Sequence, residues 1–332
     1  METTTRWGII GTGKIARAFA AALRETPGAV LAGVASRTQD SADNFAREQG
    51  VETAYASYQA LADAADIDVV YIATPHTEHA ANATLVLNAG KGVLCEKPFT
   101  MNRAEAEQVV ALARAKNLFL MEAMWTRFQP ALAEVKRIIA SGEIGAISQV
   151  TADFGFVATF DAKHRLFDRA LGGGALLDLG IYPLSIAAAI MGPVASVTAQ
   201  AEMGPTGVDV HTGFILHHAG GGISSCACSL VADTPVELTV SGTGGFIRMN
   251  TRFHHAQSIT VTPADGTART IATPFLGNGY VHEAIEAQRC LHAGLIESPL
   301  MTHDETLALM GVMDDIRAQI GLRYGADDAF ST

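Results

Sequence analysis

The sequence predicts an α/β protein: an N-terminal Rossmann-type doubly wound parallel sheet, then a C-terminal α/β domain with a large, mostly antiparallel open-faced sheet. Three observations predict it. Short apolar runs alternate with helical stretches from residue 6 to residue 122; a Gly-x-Gly-x-x-Ala turn follows the first of those runs; long alternating segments with Gly-rich turns come after. The predicted domains are therefore 1–122 and 123–332.

The first strand is WGII, and IARAFAAAL after it places Ile15, Phe19 and Leu23 on one helical face. VLAGVAS reads as the second strand, a polar helix starts at Asp40, and DVVYIAT, ATLVLNAG, GVLCEKP and LFLMEA continue the rhythm. Gly90 reads as a helix C-cap, and Asn102-Arg-Ala-Glu105 as a capping box opening a helix that runs to Lys116. Beyond residue 122 a helix spans Pro130 to Ala140. SQVTADFGFVATF, VASVTAQAEM, HTGFILHHAGGGISSCACSLVA, PVELTVSGTGGFIRMN and SITVTPA then alternate as antiparallel strands do. Helices at Val281 to His292 and Asp304 to Ile320 close the chain. Helices on one face of such a sheet leave the other needing cover, which predicts a homodimer or higher homo-oligomer built on it.

Composition excludes several classes. The chain of 332 residues is 48% hydrophobic and 17% charged, enough to bury a large core. A net charge of −11 without a basic run predicts no nucleic-acid or anionic-membrane partner. The apolar region Ala175 to Val197 is interrupted by Asp178, Pro183 and Pro193 and reads as a buried helix with turns, not a bilayer span. METTTRWGII has neither the basic nor the apolar part of a signal peptide, so a cytoplasmic protein is expected. Cys95, Cys226, Cys228 and Cys290 are too few and scattered for a disulfide framework and read as structural thiols.

Gly11-Thr12-Gly13-Lys14-Ile15-Ala16 lies between a strand and a helix, where a dinucleotide fingerprint belongs. Gly11 permits the tight turn, Gly13 admits the pyrophosphate, and the helix N-terminus offers its N–H groups. An NAD-type site places a carboxylate at the end of the second strand. Here that strand ends Ala35-Ser36-Arg37-Thr38, and Arg37 with Ser36 suits the 2′-phosphate of NADP. The alternative is a surface Arg37 with Asp40 at the ribose.

Three further segments, Thr74-Pro75-His76-Thr-Glu-His79, Glu96-Lys97-Pro98 and Gly172-Gly-Gly-Ala-Leu-Leu-Asp178-Leu-Gly180-Ile-Tyr182, are unusual for a bare coenzyme domain. With them the chain resembles the Gfo/Idh/MocA oxidoreductases from Arg6 to Ile320. The strings VLCEKPFTMN, LFLMEAMWTRF and GGALLDLGIY are similar to the dimeric dihydrodiol dehydrogenases and NADP-dependent D-xylose 1-dehydrogenases within it. His76, where many members have Asn, and Tyr182, where many have His, depart from the wider family and fit this subgroup.

The resemblance implies that Lys97 and Tyr182 are the catalytic pair. A tyrosine is a poor base near neutral pH, and a lysine ammonium beside it stabilises tyrosinate. By the same resemblance Thr74, Pro75, His76, His79, Glu96 and Lys97 line the coenzyme. Trp125, Phe154 and Asp178 join Lys97 and Tyr182 near the substrate, with Trp125 also at the coenzyme. Trp125 and Phe154 read equally as packing aromatics, Arg127 as a coenzyme-phosphate ligand or a rim ion pair, and Lys163, His164 and Arg165 as sugar ligands or a solvated turn. His76 and His79 have no Cys or carboxylate completing a ligand set, so no metal is expected. The implied activity is NADP-dependent oxidation of a cyclic aldose such as D-xylose at C1, or of a trans-dihydrodiol. The alternatives are a redox-cycling glycoside hydrolase or lyase and a non-catalytic NADP sensor.

Overall fold

The structure, a computed structural model, describes residues 4–330. The chain divides into two compact units. The first runs to Trp125 and takes in Leu276–Leu307; the second comprises Thr126–Phe275 and the chain from Ala308 onward. The sequence places a single boundary at residue 122, whereas the units are discontinuous.

In the first unit β1 (Thr5–Ile10), α1 (Lys14–Glu25), β2 (Ala29–Ala35), α2 (Gln39–Gln49), β3 (Thr53–Tyr55), α3 (Tyr58–Ala62), β4 (Val69–Ile72), α4 (His79–Asn88), β5 (Gly92–Glu96), α5 (Arg103–Lys116) and β6 (Leu120–Ala123) follow in order. The strands form one parallel sheet, β3-β2-β1-β4-β5-β6. Every residue of β4 and β5 is buried, as expected of strands covered on both faces. The order reverses between β1 and β4, and ligands of such sheets bind outside the carboxyl ends of the strands at that switch point. The capping box forms: Asn102 accepts the Glu105 N–H at 2.9 Å, and the Glu105 carboxylate accepts the Met101 N–H at 3.0 Å.

The second unit begins with α6 (Pro130–Ala140) and β7 (Ile147–Gly155). A π-helical turn, Leu176–Gly180, runs directly into α7 (Ile181–Met191). β8 (Val194–Met203), β9 (Asp209–His218), β10 (Ile223–Ser229), β11 (Leu238–Gly242), β12 (Gly245–Met249), β13 (Ser258–Pro263) and β14 (Arg269–Ala272) complete an eight-stranded sheet, β14-β13-β12-β11-β7-β10-β9-β8. Neighbours pair antiparallel except β7 with β10. In β9, Val210, Thr212, Phe214 and Leu216 point into the core, while Ile215 on the other face is 44% exposed. The run 169–191 has the length and hydropathy of a membrane span, but 78% of its apolar 18-residue window is buried inside the fold, and Asp178 lies within the run.

Back in the first unit, α8 (Val281–His292) packs on α1, and Gln288 accepts the Trp7 indole N–H at 3.1 Å. These contacts draw residues 276–307 away from the unit that precedes them in sequence. α9 (His303–Ile320) starts in the first unit and ends in the second. The sequence reading anticipates both terminal helices. It omits β3, α3 and β14, and it runs the strand after α6 to residue 160 where β7 stops at Gly155.

Candidate active site

Gly11 has φ +106°, and a Cβ there would lie 2.6 Å from the Ala73 carbonyl oxygen. Only glycine lets the turn after β1 press against the turn after β4. Thr12 leads to Gly13, which starts α1 with no side-chain cap on its N–H groups and no acid in the first turn. A Cβ on Gly13 would meet no protein atom within 4 Å. Open space before uncapped N–H groups at the positive end of a helix dipole fits a dinucleotide pyrophosphate. Lys14 and Ile15 form the first turn of α1, Lys14 exposed and Ile15 half-buried. Arg17 braces the turn by donating to the Thr12 carbonyl and pairing with Glu48 at 3.0 Å.

At the end of β2, Ser36 is buried and Thr38 caps α2 by accepting the Ser41 N–H. Arg37 between them is exposed and makes no hydrogen bond or ion pair among the described residues. Asp40 is also exposed, in the first turn of α2.

The turn after β4 holds Thr74, Pro75 and His76, and Thr74 Oγ1 accepts from Asn82 at 3.2 Å. His76 stays partly exposed, its ring centroid 5.7 Å from that of His79. His79 is fully buried, with Nδ1 2.9 Å from the Pro98 carbonyl and Nε2 3.0 Å from the Thr74 carbonyl. Burial pushes its pKa down. Both neighbours are acceptors and a neutral ring donates from one nitrogen at a time, so His79 ties the β4 and β5 turns together and offers no open ring nitrogen.

Glu96 ends β5 almost fully buried and accepts a hydrogen bond from the Tyr71 hydroxyl; the Lys97 N–H donates to its other oxygen at 3.2 Å. Glu283 of α8 is completely buried nearby, neither carboxyl oxygen having a hydrogen-bond partner. Burial, then the Glu96 charge, raises its pKa well above the usual range. Trp125 stacks on Tyr280, centroids 4.3 Å apart.

In the second unit an aromatic cluster surrounds Tyr182. The Phe154 ring of β7 lies 5.2 Å from the Tyr182 ring, and His254, in a short turn after β12, lies 5.5 Å from it. Asp178, one helical turn before Tyr182, is buried and receives a two-pronged ion pair from Arg165 at 3.0 and 3.3 Å. Arg127 is buried too. The structure thus gathers Phe154, Asp178 and Tyr182 in one unit and Lys97, Glu96 and the glycine turn in the other. His254 belongs to no motif, and Tyr71 and Glu283 fall in runs that read only as a strand and a helix, so none carried a signal for the site. Among the described residues no group of three or more His, Cys, Asp or Glu is placed to hold a metal ion, and the four cysteines are buried thiols.

A glycine turn fit for a dinucleotide, on a parallel sheet paired with an open antiparallel one, defines a coenzyme-dependent oxidoreductase. Residues 5–124 match the oxidoreductase family with an NAD-binding Rossmann fold called Gfo/Idh/MocA, and residues 132–248 match that family's C-terminal domain. The chain belongs to the Gfo/Idh/MocA family. Similar proteins include trans-1,2-dihydrobenzene-1,2-diol dehydrogenase of Danio rerio, 37% identical over 97% of this chain and 98% of that one, and its Bos taurus counterpart, 36% identical over the same shares. A 3-ketoreductase from Actinomadura kijaniata in complex with NADP and TDP-benzene has a similar structure, with TM-score 0.85 and 26% identity over 96% of this chain and 98% of that one. Levoglucosan dehydrogenase in complex with NADH and levoglucosan shares the fold at TM-score 0.88 and 24% identity over the same shares. The protein is therefore an oxidoreductase acting on CH–OH groups with a nicotinamide coenzyme.

Proposed function

We propose that this protein is an NADP-dependent dehydrogenase that oxidises a trans-dihydrodiol or a cyclic aldose such as D-xylose at C1. The observation that carries the reading is the surround of Tyr182: a hydroxyl-bearing ring among Phe154 and His254, one turn beyond the buried Asp178. Apolar ring faces beside a few polar groups suit a cyclic polyol or diol. The similarity to dihydrodiol dehydrogenases over nearly the whole chain favours the diol. The uncommitted guanidinium of Arg37 favours the 2′-phosphate of NADP.

Oxidation removes a hydroxyl proton and a hydride from one CH–OH group and leaves a carbonyl. Tyr182 is assigned as the group that takes the proton, and Lys97 as the second catalytic residue. Gly11, Gly13 and the turns after β2 and β4 would hold the nicotinamide coenzyme, which would supply the hydride acceptor. Glu96 and Trp125 would line the coenzyme in the first unit; in the second, Asp178 and Phe154 would orient the substrate, and Arg127 is the candidate phosphate ligand.

We further propose that the protein works in the cytoplasm as a homodimer through the uncovered sheet face around Ile215 and Ile223. Sedimentation equilibrium checks this: a monomer throughout the micromolar range contradicts it.

The functional test is absorbance at 340 nm with NADP+ or NAD+ against trans-dihydrobenzenediol and a panel of aldoses. Turnover that prefers NADP+ and is lost in Lys97→Ala and Tyr182→Phe is expected. Coenzyme that co-purifies while no substrate yields net reduction would instead favour a redox-cycling lyase or a sensor.

A further inference from the structure

The helical run bearing Tyr182 starts in a Gly-rich turn, which by itself leaves its first residues free to shift. Two side chains far away in sequence hold it. Asp209, the first residue of β9, is fully buried; its Oδ2 accepts the Leu176 N–H at 2.8 Å and the Thr212 hydroxyl at 2.6 Å. The carboxylate thus caps the start of the π turn from 33 residues along the chain. Tyr324, beyond α9, holds the same turn by donating its hydroxyl to the Gly173 carbonyl at 2.5 Å. Gly174 between them has φ +131°, and a Cβ there would run into Asp209 Oδ1 and lie 3.1 Å from the Tyr324 hydroxyl. The backbone is therefore pressed directly onto both clamping groups.

A buried carboxyl is expensive to keep, and burial raises the Asp209 pKa while its N–H and hydroxyl donors oppose that rise. A plain N-cap on the surface would secure a helix at lower cost. What the buried clamp adds is a fixed axial position for residues 176–182, hence for the Asp178 and Tyr182 side chains.

We propose that Asp209, assisted by Tyr324, is a positioning residue that acts through the Gly173–Leu176 backbone to fix the Tyr182 hydroxyl for proton transfer. The proposal rests on the reading of Tyr182 as the acid/base. Displacing a catalytic group by about 1 Å costs on the order of a hundredfold in rate, so loss of the clamp lowers kcat and leaves coenzyme binding at the other unit alone.

The test compares Asp209→Ala, the isosteric Asp209→Asn, Tyr324→Phe and Tyr182→Phe in the full-length protein, reading amide hydrogen exchange over 172–184, NADPH affinity by fluorescence, and kcat and KM with trans-dihydrobenzenediol. Tyr324→Phe removes one oxygen atom and keeps the ring packed, so it reports even where Asp209→Ala does not fold. Faster exchange confined to 172–184 is expected, with kcat reduced about tenfold or more, NADPH affinity held within about twofold, and partial recovery in Asp209→Asn. Unchanged exchange in Tyr324→Phe and Asp209→Asn overturns the clamp. Faster exchange with wild-type kcat, while Tyr182→Phe is inactive, overturns its catalytic role. Undiminished turnover in Tyr182→Phe overturns instead the functional reading beneath it, and exchange alone then judges the clamp.

Discussion

The imidazole of His254 lies flat on the phenyl ring of Phe154, centroids 4.4 Å apart and planes 13° from parallel, and both rings border Tyr182. A stacked pair of this kind contributes about 0.5–1.5 kcal/mol beyond its buried area. His254 thereby holds Phe154 at one setting and forms a second wall beside Tyr182.

His254→Leu removes the stack and keeps an apolar side chain. The expected outcome is a KM for the diol raised roughly threefold to tenfold, with kcat changed less and the KM for coenzyme unchanged. Initial-rate kinetics with each substrate varied in turn check this, and an unchanged diol KM would refute it.

Gly11→Ala forces an L side chain into φ +106° and against the Ala73 carbonyl. Strain and overlap together are expected to cost about 2–4 kcal/mol of stability. Thermal unfolding and coenzyme fluorescence titration should both report the damage, the second as lost binding. A variant as stable as the parent with normal coenzyme affinity contradicts the close approach of the two turns.

Arg37→Ala tests the coenzyme preference. A charge-assisted hydrogen bond to a phosphate is worth about 1.5–3 kcal/mol, so the KM for NADP+ should rise about tenfold to a hundredfold while that for NAD+ barely moves. Equal effects on both coenzymes would show that Arg37 does not read the 2′-phosphate and would move attention to Asp40.

Glu283 makes the stability of the first unit depend on pH. Burial, then the charge of Glu96, holds its folded pKa well above the ordinary value of 4.5. Folding therefore retains a proton that the unfolded chain releases. The stability is fully present below pH 4.5 and is lost as pH rises toward the folded pKa, at about 1.4 kcal/mol per pH unit. Glu283→Gln, neutral at every pH, should melt like the parent near pH 4 and at progressively higher temperature than the parent as pH rises above 5 toward the folded pKa. Parallel melting curves across that range would show that Glu283 is not held neutral by the fold.

The coenzyme half was legible in the sequence because its signals are local. A Gly-x-Gly-x-x-Ala turn, an Asn–Glu capping box and fully apolar strands act through hydrogen bonds and sterics spanning a few residues, so Gly11, Gly13 and the α5 cap sit where the sequence put them. The terminal helix Val281–His292 was equally clear from its own periodicity, yet its membership of the first unit was not. That depends on packing against α1 and on the Trp7–Gln288 bond, 281 residues apart.

The sequence by itself determined the fold class, through the periodicity of its apolar runs, and the place of the dinucleotide turn and of the segments carrying Lys97 and Tyr182, each written in a few consecutive residues. Only the tertiary structure decided that His79 is sealed between two carbonyls, that Glu283 faces Glu96, that His254 stacks on Phe154, and that Asp209 and Tyr324 grip the start of the Tyr182 helix. Those relationships join positions from 5 to 187 residues apart through single side chains meeting across a packed core. No periodicity or cap encodes such a meeting; it exists once burial of the two sheets has fixed where each side chain must go.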